Sequence, residues 1–415
     1  MTDSAGAPLH CASLHSISKT TVLCSALVVL SGCADGGSED RPQSAVKITT
    51  QHHLFGLRSL RGFGSLPIQT TVTLPDRGRL NLFDDSSYTI TRGSDTSGAD
   101  RYAIGTDRAF SVFITGSAQE PSVVFRGAYG YQNTADPGAF FFTDRVSTNA
   151  SPSVGLYYGM PIVAGQVELE GAWHLLSLHA IFGQSLLQPD NVARGVSGAV
   201  TVTAGGPGTA RTISGTGLQG ASGVVFGGTI QNVLDGSNNG DGTCNLTLSY
   251  QVGSAPLDSR AMQCVASSNL ALALDEDESD GEAGIAWLVR KFDAPTSPVD
   301  PVRVTGTFLF GGHTFFVNPS NSGSDAFVGT VVLGTGGAFR LDAAGANGTD
   351  FTYTGTYSLA QDGGMTITIP GTSETWFAAI DRSYQTLVFV DGIVETRANN
   401  IPELNIGFGV RQRTN

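Results

Sequence analysis

The sequence predicts an all-β protein made of three tandem repeats of about 110–130 residues. Each repeat reads as an antiparallel meander of about eight strands, either a small up-and-down barrel or a β-sandwich. Glycine supplies 54 of 415 residues and charged residues only 14%, a composition that favours glycine turns between short strands over helices. Several segments alternate apolar and polar side chains with period two. These segments return at intervals of about 120 to 135 residues, the size of a domain and well above the period of a solenoid.

The chain opens differently. An apolar run from Thr20 to Gly32 follows Lys19 and ends in Leu30-Ser31-Gly32-Cys33. About 20 apolar residues are needed to span a bilayer as a helix, so the run is too short to remain there. A basic flank, an apolar middle and a small-residue end read as a signal peptide. The four residues Leu30 to Cys33 resemble the bacterial lipoprotein lipobox at every position. That resemblance implies cleavage before Cys33, diacylglycerol on its sulfur, and anchoring in membrane lipid by several acyl chains. It also implies the bacterial cell envelope, and Ala34 after the cysteine favours the outer membrane. The small polar stretch after Cys33 reads as a flexible tether.

The strand signal is plain from Cys244 to Val252, where Leu246, Leu248, Tyr250 and Val252 share one face and Asn245, Thr247, Ser249 and Gln251 the other. Met365, Ile367 and Ile369 alternate with threonines in the same way, as do Leu404, Ile406, Phe408 and Val410 with their polar or glycine neighbours. Such segments suit antiparallel sheets with one face buried and one wet. The last repeat resolves into eight strands, 305–310, 326–333, 338–343, 351–360, 365–370, 375–380, 386–390 and 404–411, joined by short links. The closing strands around Tyr158, Trp287 and Phe408 superpose on one another. The opening segments Leu169–Trp173 and Val304–Phe308 match as well, each followed by a histidine, His179 and His313, that the match makes equivalent. The first repeat, near Leu60-Arg-Gly-Phe63, fits this opening poorly. The chain therefore divides into a signal peptide over 1–32, lipidated Cys33 and tether over 33–52, and β repeats over 53–163, 164–294 and 295–415. Gly171-Ala-Trp173 faintly resembles the start of lipocalin and avidin-like (calycin) barrels, which implies a barrel architecture and no particular binding residue.

Five cysteines are present. Cys11 and Cys24 would leave with the signal and Cys33 would be acylated, which leaves Cys244 and Cys264. Two cysteines in an exported chain usually pair, and closing their loop is worth about 3 kcal/mol in the chain-entropy model. A metal pair is the rival reading, but no second pair or nearby histidine completes a tetrahedral set. The net charge of −13 and the scarcity of lysine exclude nucleic acid, which needs clustered cations.

No stretch carries a catalytic or cofactor motif. Asp235 to Thr243 resembles the start of a calcium loop, yet the position of its bidentate glutamate is Leu246, and a long hairpin loop is the better reading. Asp275 to Glu282 gathers six carboxylates and reads as a solvated loop between strands. His174 and His179, five apart, fall on opposite faces of a strand. His52-His53 adjoins the tether and reads as exposed. Gly215 to Gly220 spells a dinucleotide fingerprint without the helix it requires. No cofactor, metal or catalytic residue is expected. The repeats are expected to lack an obvious polar cluster, which ranks first a structural, display or adhesive envelope lipoprotein that is not an enzyme. Second is a binder of an apolar or amphipathic small ligand inside a barrel, where Tyr158, Trp287 and Phe408 would line a cavity or serve as ordinary core. A hydrolase with dispersed residues ranks last. Any protein or small-molecule partner is unspecified by the sequence.

Overall fold

The computed structural model describes residues 44–413 apart from 61–72, 93–94, 97–99, 116–120, 134–135, 144–152, 163–168, 182–191, 205–209, 220–221, 235–239, 276–281, 318–321, 346–349, 372–374, 392–393 and 397–403. Over these residues the chain forms three closed eight-stranded antiparallel barrels in succession.

Barrel 1 runs from β1 (Thr50–Leu60) to β9 (Ser153–Pro161), with two-residue β4 (Asp95–Thr96) appended to β3 (Ser87–Arg92). It closes because β1 pairs with both β2 (Thr73–Leu82) and β9. Barrel 2 runs from β10 (Gly171–Ile181) to β17 (Glu282–Arg290), and β10 closes it by pairing with β11 (Val192–Thr203) and β17. Barrel 3 runs from β18 (Gly306–Val317) to β26 (Leu404–Arg411). All eight strands read from the last repeat are present. Two of them run at least four residues further: β18 continues to Val317, and β19 (Ser322–Leu333) begins at Ser322 rather than Ala326. The extra length of β18 passes through Gly311-Gly312, where a strand normally weakens. A Cβ at Gly311 would lie 2.4 Å from the ring of Phe141 in barrel 1, so the missing side chain is what lets the two barrels touch.

Each barrel has its own interior. In barrel 1 the large inward side chains include Tyr102, Phe110, Tyr129 and Phe140. In barrel 2 they include Trp173, Phe226 and Tyr250, and in barrel 3 Phe310, Phe339, Trp376 and Phe389. A fourth core lies between the barrels and draws its residues from the outer faces of all three. Two of its strands are buried on both faces: β16 (Leu270–Asp275) and β24 (Thr386–Asp391). At its centre stand Tyr158, Trp287 and Phe408. Each is opposite the corresponding position of its barrel's first strand, Phe55, Leu176 and Gly311. Trp287 stacks on Phe408 with ring centres 4.8 Å apart, and Tyr158 meets Trp287 edge-on at 5.1 Å. The three repeat-equivalent aromatics are therefore core, turned out of their barrels rather than into a cavity.

The barrels point the same way. We call the base the end at which the first strand of each barrel starts. Arg108, in the turn between β5 (Asp100–Ile104) and β6 (Ala109–Thr115) at the base of barrel 1, donates to Gln385 Oε1 at 2.5 Å and to the Arg411 carbonyl at 2.7 Å, both at the base of barrel 3. Lys291, just past the base of barrel 2, is 2.9 Å from Asp362 in the turn between β21 (Asp350–Leu359) and β22 (Gly364–Thr368) of barrel 3. At the far end, β25 (Val394–Thr396), from the β24–β26 connection of barrel 3, pairs with Val192–Arg194 of barrel 2.

The N-terminal boundary needs correction. Residues from Ser44 onward are built into barrel 1 instead of continuing a tether to residue 52: the Ser44 hydroxyl accepts from the Ile104 N–H at 3.0 Å, and Ile48 joins the interior. A short helix, α1 (Pro301–Val304), capped by Asp300, precedes barrel 3, and Val304 with Phe292 and Val299 fills that barrel's base.

Candidate functional site

Sequence alternation puts polar side chains on the wet face, and barrel 2 breaks that rule near its far end. Ser177 and His179 of β10, Tyr250 of β14 (Gly240–Val252), Arg260 of β15 (Asp258–Ala266) and Asp275 of β16 all sit on inward positions of their strands. All are buried. The Ser177 hydroxyl meets His179 Nε2 at 2.5 Å and donates to the Ile285 carbonyl at 3.1 Å. The His179 ring faces that of Tyr250 at 5.8 Å, and since β10 and β14 lie across the barrel from each other, the pair spans the lumen. Arg260 donates to Asp275 at 3.1 Å and to Asp258 at 3.4 Å. A buried charge is tolerable when paired in this way.

Burial drives the His179 pKa well below the ordinary histidine value, helped by the positive charges of Arg260 and Arg194. The imidazole is therefore neutral. Burial also raises the Tyr250 phenol. A serine, a neutral histidine and a nearby carboxylate are the ingredients of nucleophilic chemistry, and such sets are defined by geometry rather than order. Here, however, Ser177 is 1% and His179 2% exposed, so a substrate has no approach to the hydroxyl. The arrangement acts as a polar layer that closes the top of the barrel 2 core.

Several sequence readings land elsewhere. Asp275 is not part of a solvated loop, because it is the buried partner of Arg260; residues 276–281 lie outside the described residues. His52 and His53 are buried, not exposed. His52 points into barrel 1, where its Nε2 lies 3.0 Å from the Tyr129 hydroxyl and 3.1 Å from the Gly138 carbonyl. By register His52 takes the place that Trp173 and Phe308 hold in the other barrels, so the opening strand of the first repeat is β1 and not the segment near Leu60–Phe63. His179 and His313 are not equivalent. Counted from the strand-pairing registers, His313 matches Leu178, one residue away, which puts it on the outer face of its barrel against Phe315 at 4.9 Å. Burial lowers its pKa to about 3. His174, on the outer face of barrel 2, lies 3.1 Å from the Asp362 carbonyl.

Gly215 to Gln219 lie in strand β12 (Arg211–Gln219), with Gly215 and Gly217 close against β11 backbone. Cys244 and Cys264 stand directly opposite in the β14–β15 register with Cα atoms 4.8 Å apart, and their sulfurs meet inside barrel 2. Cys33 and Asp235–Asn239 of the calcium-like stretch lie outside the described residues. No cluster of three or more metal-ligating side chains occurs among the described residues.

The polar layer escaped sequence reading because its members come from four strands of one barrel. The signal available was Arg260 and Asp275 standing at positions that alternation assigns inward, in line with Met262, Cys264, Ala271 and Ala273.

No family model matches the chain, and no curated protein matches it. Among solved structures, the intact two-lobed Ap-TbpB is 9% identical over 92% of this chain and 82% of its own, with a TM-score of 0.27. A transferrin binding protein B double mutant from Haemophilus parasuis is 8% identical over 89% and 77%, TM-score 0.27. Isotype 1 transferrin binding protein B from serogroup B Neisseria meningitidis is 9% identical over 89% and 78%, TM-score 0.25. Scores of this size fall short of a shared architecture and carry no functional weight.

Proposed function

We propose that the chain is an envelope lipoprotein that is not an enzyme, held in the outer membrane by acylated Cys33 and working as a rigid display or adhesive module. The observation that carries this reading is directional. The chain enters barrel 1 at the base, where Ser44 is fixed, and the three barrels share that base, so an anchor at Cys33, eleven residues upstream, would turn the far ends outward from the membrane. The intervening stretch 34–43 spans at most about 35 Å when extended. Barrels whose interiors are packed with their own aromatics, joined through a common core, make a stiff body suited to presenting a surface. The Cys244–Cys264 disulfide belongs to the same proposal, as does the division into signal peptide, anchor and three β domains.

Detergent phase partitioning of the native protein and of Cys33→Ser tests the anchor. The native form is expected in the detergent phase and the variant in the aqueous phase; identical partitioning refutes anchoring.

One observation supports a second reading, an apolar ligand in barrel 3. The inward side chains Phe351, Tyr353, Tyr357 and Leu359 of β21 (Asp350–Leu359) are only half-buried, unlike the inward residues of its neighbours. Tyr353 lies 5.3 Å from Trp376, the tryptophan of that barrel. Titration of fatty acids and hydrophobic dyes would change Trp376 fluorescence on this reading, and a flat response from Trp173→Phe/Trp287→Phe protein removes it.

A further inference from the structure

On the flank of barrel 2 formed by the outer faces of β12 (Arg211–Gln219), β13 (Ser222–Leu234), β14 and β15, the described side chains carry no charge. Those that point outward here are threonine, serine, asparagine, glutamine and alanine, together with Leu218, Val225 and, where the base end of β15 turns into the shared core, Val265. The charged residues of these strands whose side chains are described, Arg211, Asp258 and Arg260, turn inward. Arg211 alternates with the core residue Ile213 and pairs with Glu170, while Asp258 and Arg260 belong to the polar layer. For a chain of net charge −13, so wide a neutral face is unusual.

It is also where exposed apolar side chains gather. Only five large hydrophobic residues are exposed among those described, and three lie on this flank: Leu218 at 40%, Val225 at 59% and Leu257 at 65%. Their neighbours are set by register. Val225 is flanked by Thr216 on β12 and Gln251 on β14, Leu218 stands opposite Gly223, and Leu257 immediately precedes the Asp258–Tyr250 pair. By register Leu218 stands one diagonal step from Val225, and Leu257 shares the row of Val225 beyond Gln251, so the three make a short slanting ridge near the far end. Apolar residues grouped on an otherwise polar surface mark a contact site rather than chance exposure.

We infer that this flank is a contact surface for a second copy of the same chain. Electrostatics select that partner. Two copies that each carry −13 repel wherever their charged faces meet, and a neutral face lets one copy approach another without that cost. A single diagonal ridge is self-complementary under twofold rotation, as an isologous pair requires. Four strands at about 4.8 Å spacing and about nine residues long offer roughly 450 Å² per copy, about 900 Å² in all. That is below the size of a permanent dimer and in the range of reversible contacts. The position agrees with lateral pairing, since the flank runs alongside the barrel instead of capping it. Copies anchored by their bases in one membrane would turn these flanks toward each other, and only this last geometric point rests on the anchor proposed above.

Sedimentation of the chain carrying Cys33→Ser, which removes lipidation from the measurement, tests the contact separately from the anchor. A reversible monomer–dimer equilibrium is expected as protein is raised to about 1 mM. Val225→Glu sets two carboxylates against each other near the twofold axis and should weaken the dimer about tenfold or more. Val225→Thr, which keeps the face neutral and the strand propensity high, should weaken it less. Val302→Glu, at an apolar residue of α1 that is still more exposed, at 78%, should leave it unchanged. A monomer at every concentration, association equally weakened by Val302→Glu, or association untouched by Val225→Glu overturns the inference.

Discussion

Replacing Trp287 by alanine tests whether the three barrels are one folding unit. Trp287 is fully buried, but it projects out of barrel 2 into the shared core, against Tyr158 of barrel 1 and Phe408 of barrel 3. A buried tryptophan withholds about 150–250 Å² from water, worth roughly 4–6 kcal/mol at 25 cal/mol/Å². Its indole N–H has no partner among the described residues, and an unmade buried donor costs about 1–3 kcal/mol that truncation gives back. The net loss is about 3 kcal/mol, at the lower end for tryptophan-to-alanine changes in cores. Trp287→Phe keeps most of the ring and discards the orphan N–H, so it should lie within about 1 kcal/mol of the native protein. The assay is urea unfolding followed by both fluorescence and far-ultraviolet circular dichroism. A single coincident transition, shifted by Trp287→Ala and hardly moved by Trp287→Phe, is expected. Separate transitions for the barrels, with only one of them moved by the alanine variant, would refute the reasoning.

Four further outcomes follow from the same contacts. His52 and His313 are held near pKa 3 and His179 well below its ordinary value, all chiefly by burial. The unfolded chain takes up protons below about pH 6.5 while the folded one does not, so their stabilisation is present above that pH and is lost as pH falls toward 3. By pH 5 the loss is about 2 kcal/mol for His52 and the same for His313, with His179 adding in the same direction, and equal urea midpoints at pH 7.5 and 5 would contradict it. Gly311→Val drives a side chain into Phe141 and should destabilise by about 1–3 kcal/mol, measured as a lower thermal midpoint. Arg108→Ala removes the bonds to Gln385 and Arg411 and should cost about 3 kcal/mol, read by the same unfolding curves. Reduction of Cys244 and Cys264 should lower stability by about 3 kcal/mol; a thiol titration that finds both free in oxidised, exported protein removes the cross-link.

The strands were legible because period-two alternation and glycine links leave a clear trace, and in the last repeat every segment read from sequence became a strand. What alternation does not say is which face looks into the barrel. Tyr158, Trp287 and Phe408 could be matched to one another from sequence, yet their outward direction came only with the register. A hint was present in Leu270-Ala-Leu-Ala-Leu-Asp, apolar on both faces, as strands covered on both sides must be. His179 and His313 show the cost of a single-residue slip, which moves a side chain to the opposite face. The polar layer was only half legible for a different reason: alternation places Arg260 and Asp275 inward, but its members come from four strands, and only closure of the barrel brings Tyr250 across to His179.

The clasp at the base has a consequence for gene architecture. Because Arg108 of the first barrel grips the last residue of β26, the three modules form a closed cycle through space, and the polypeptide is that cycle opened at one seam. Opening it at another seam, within 163–168, and joining residue 413 to residue 44 through a linker should yield a permuted chain with the same packing.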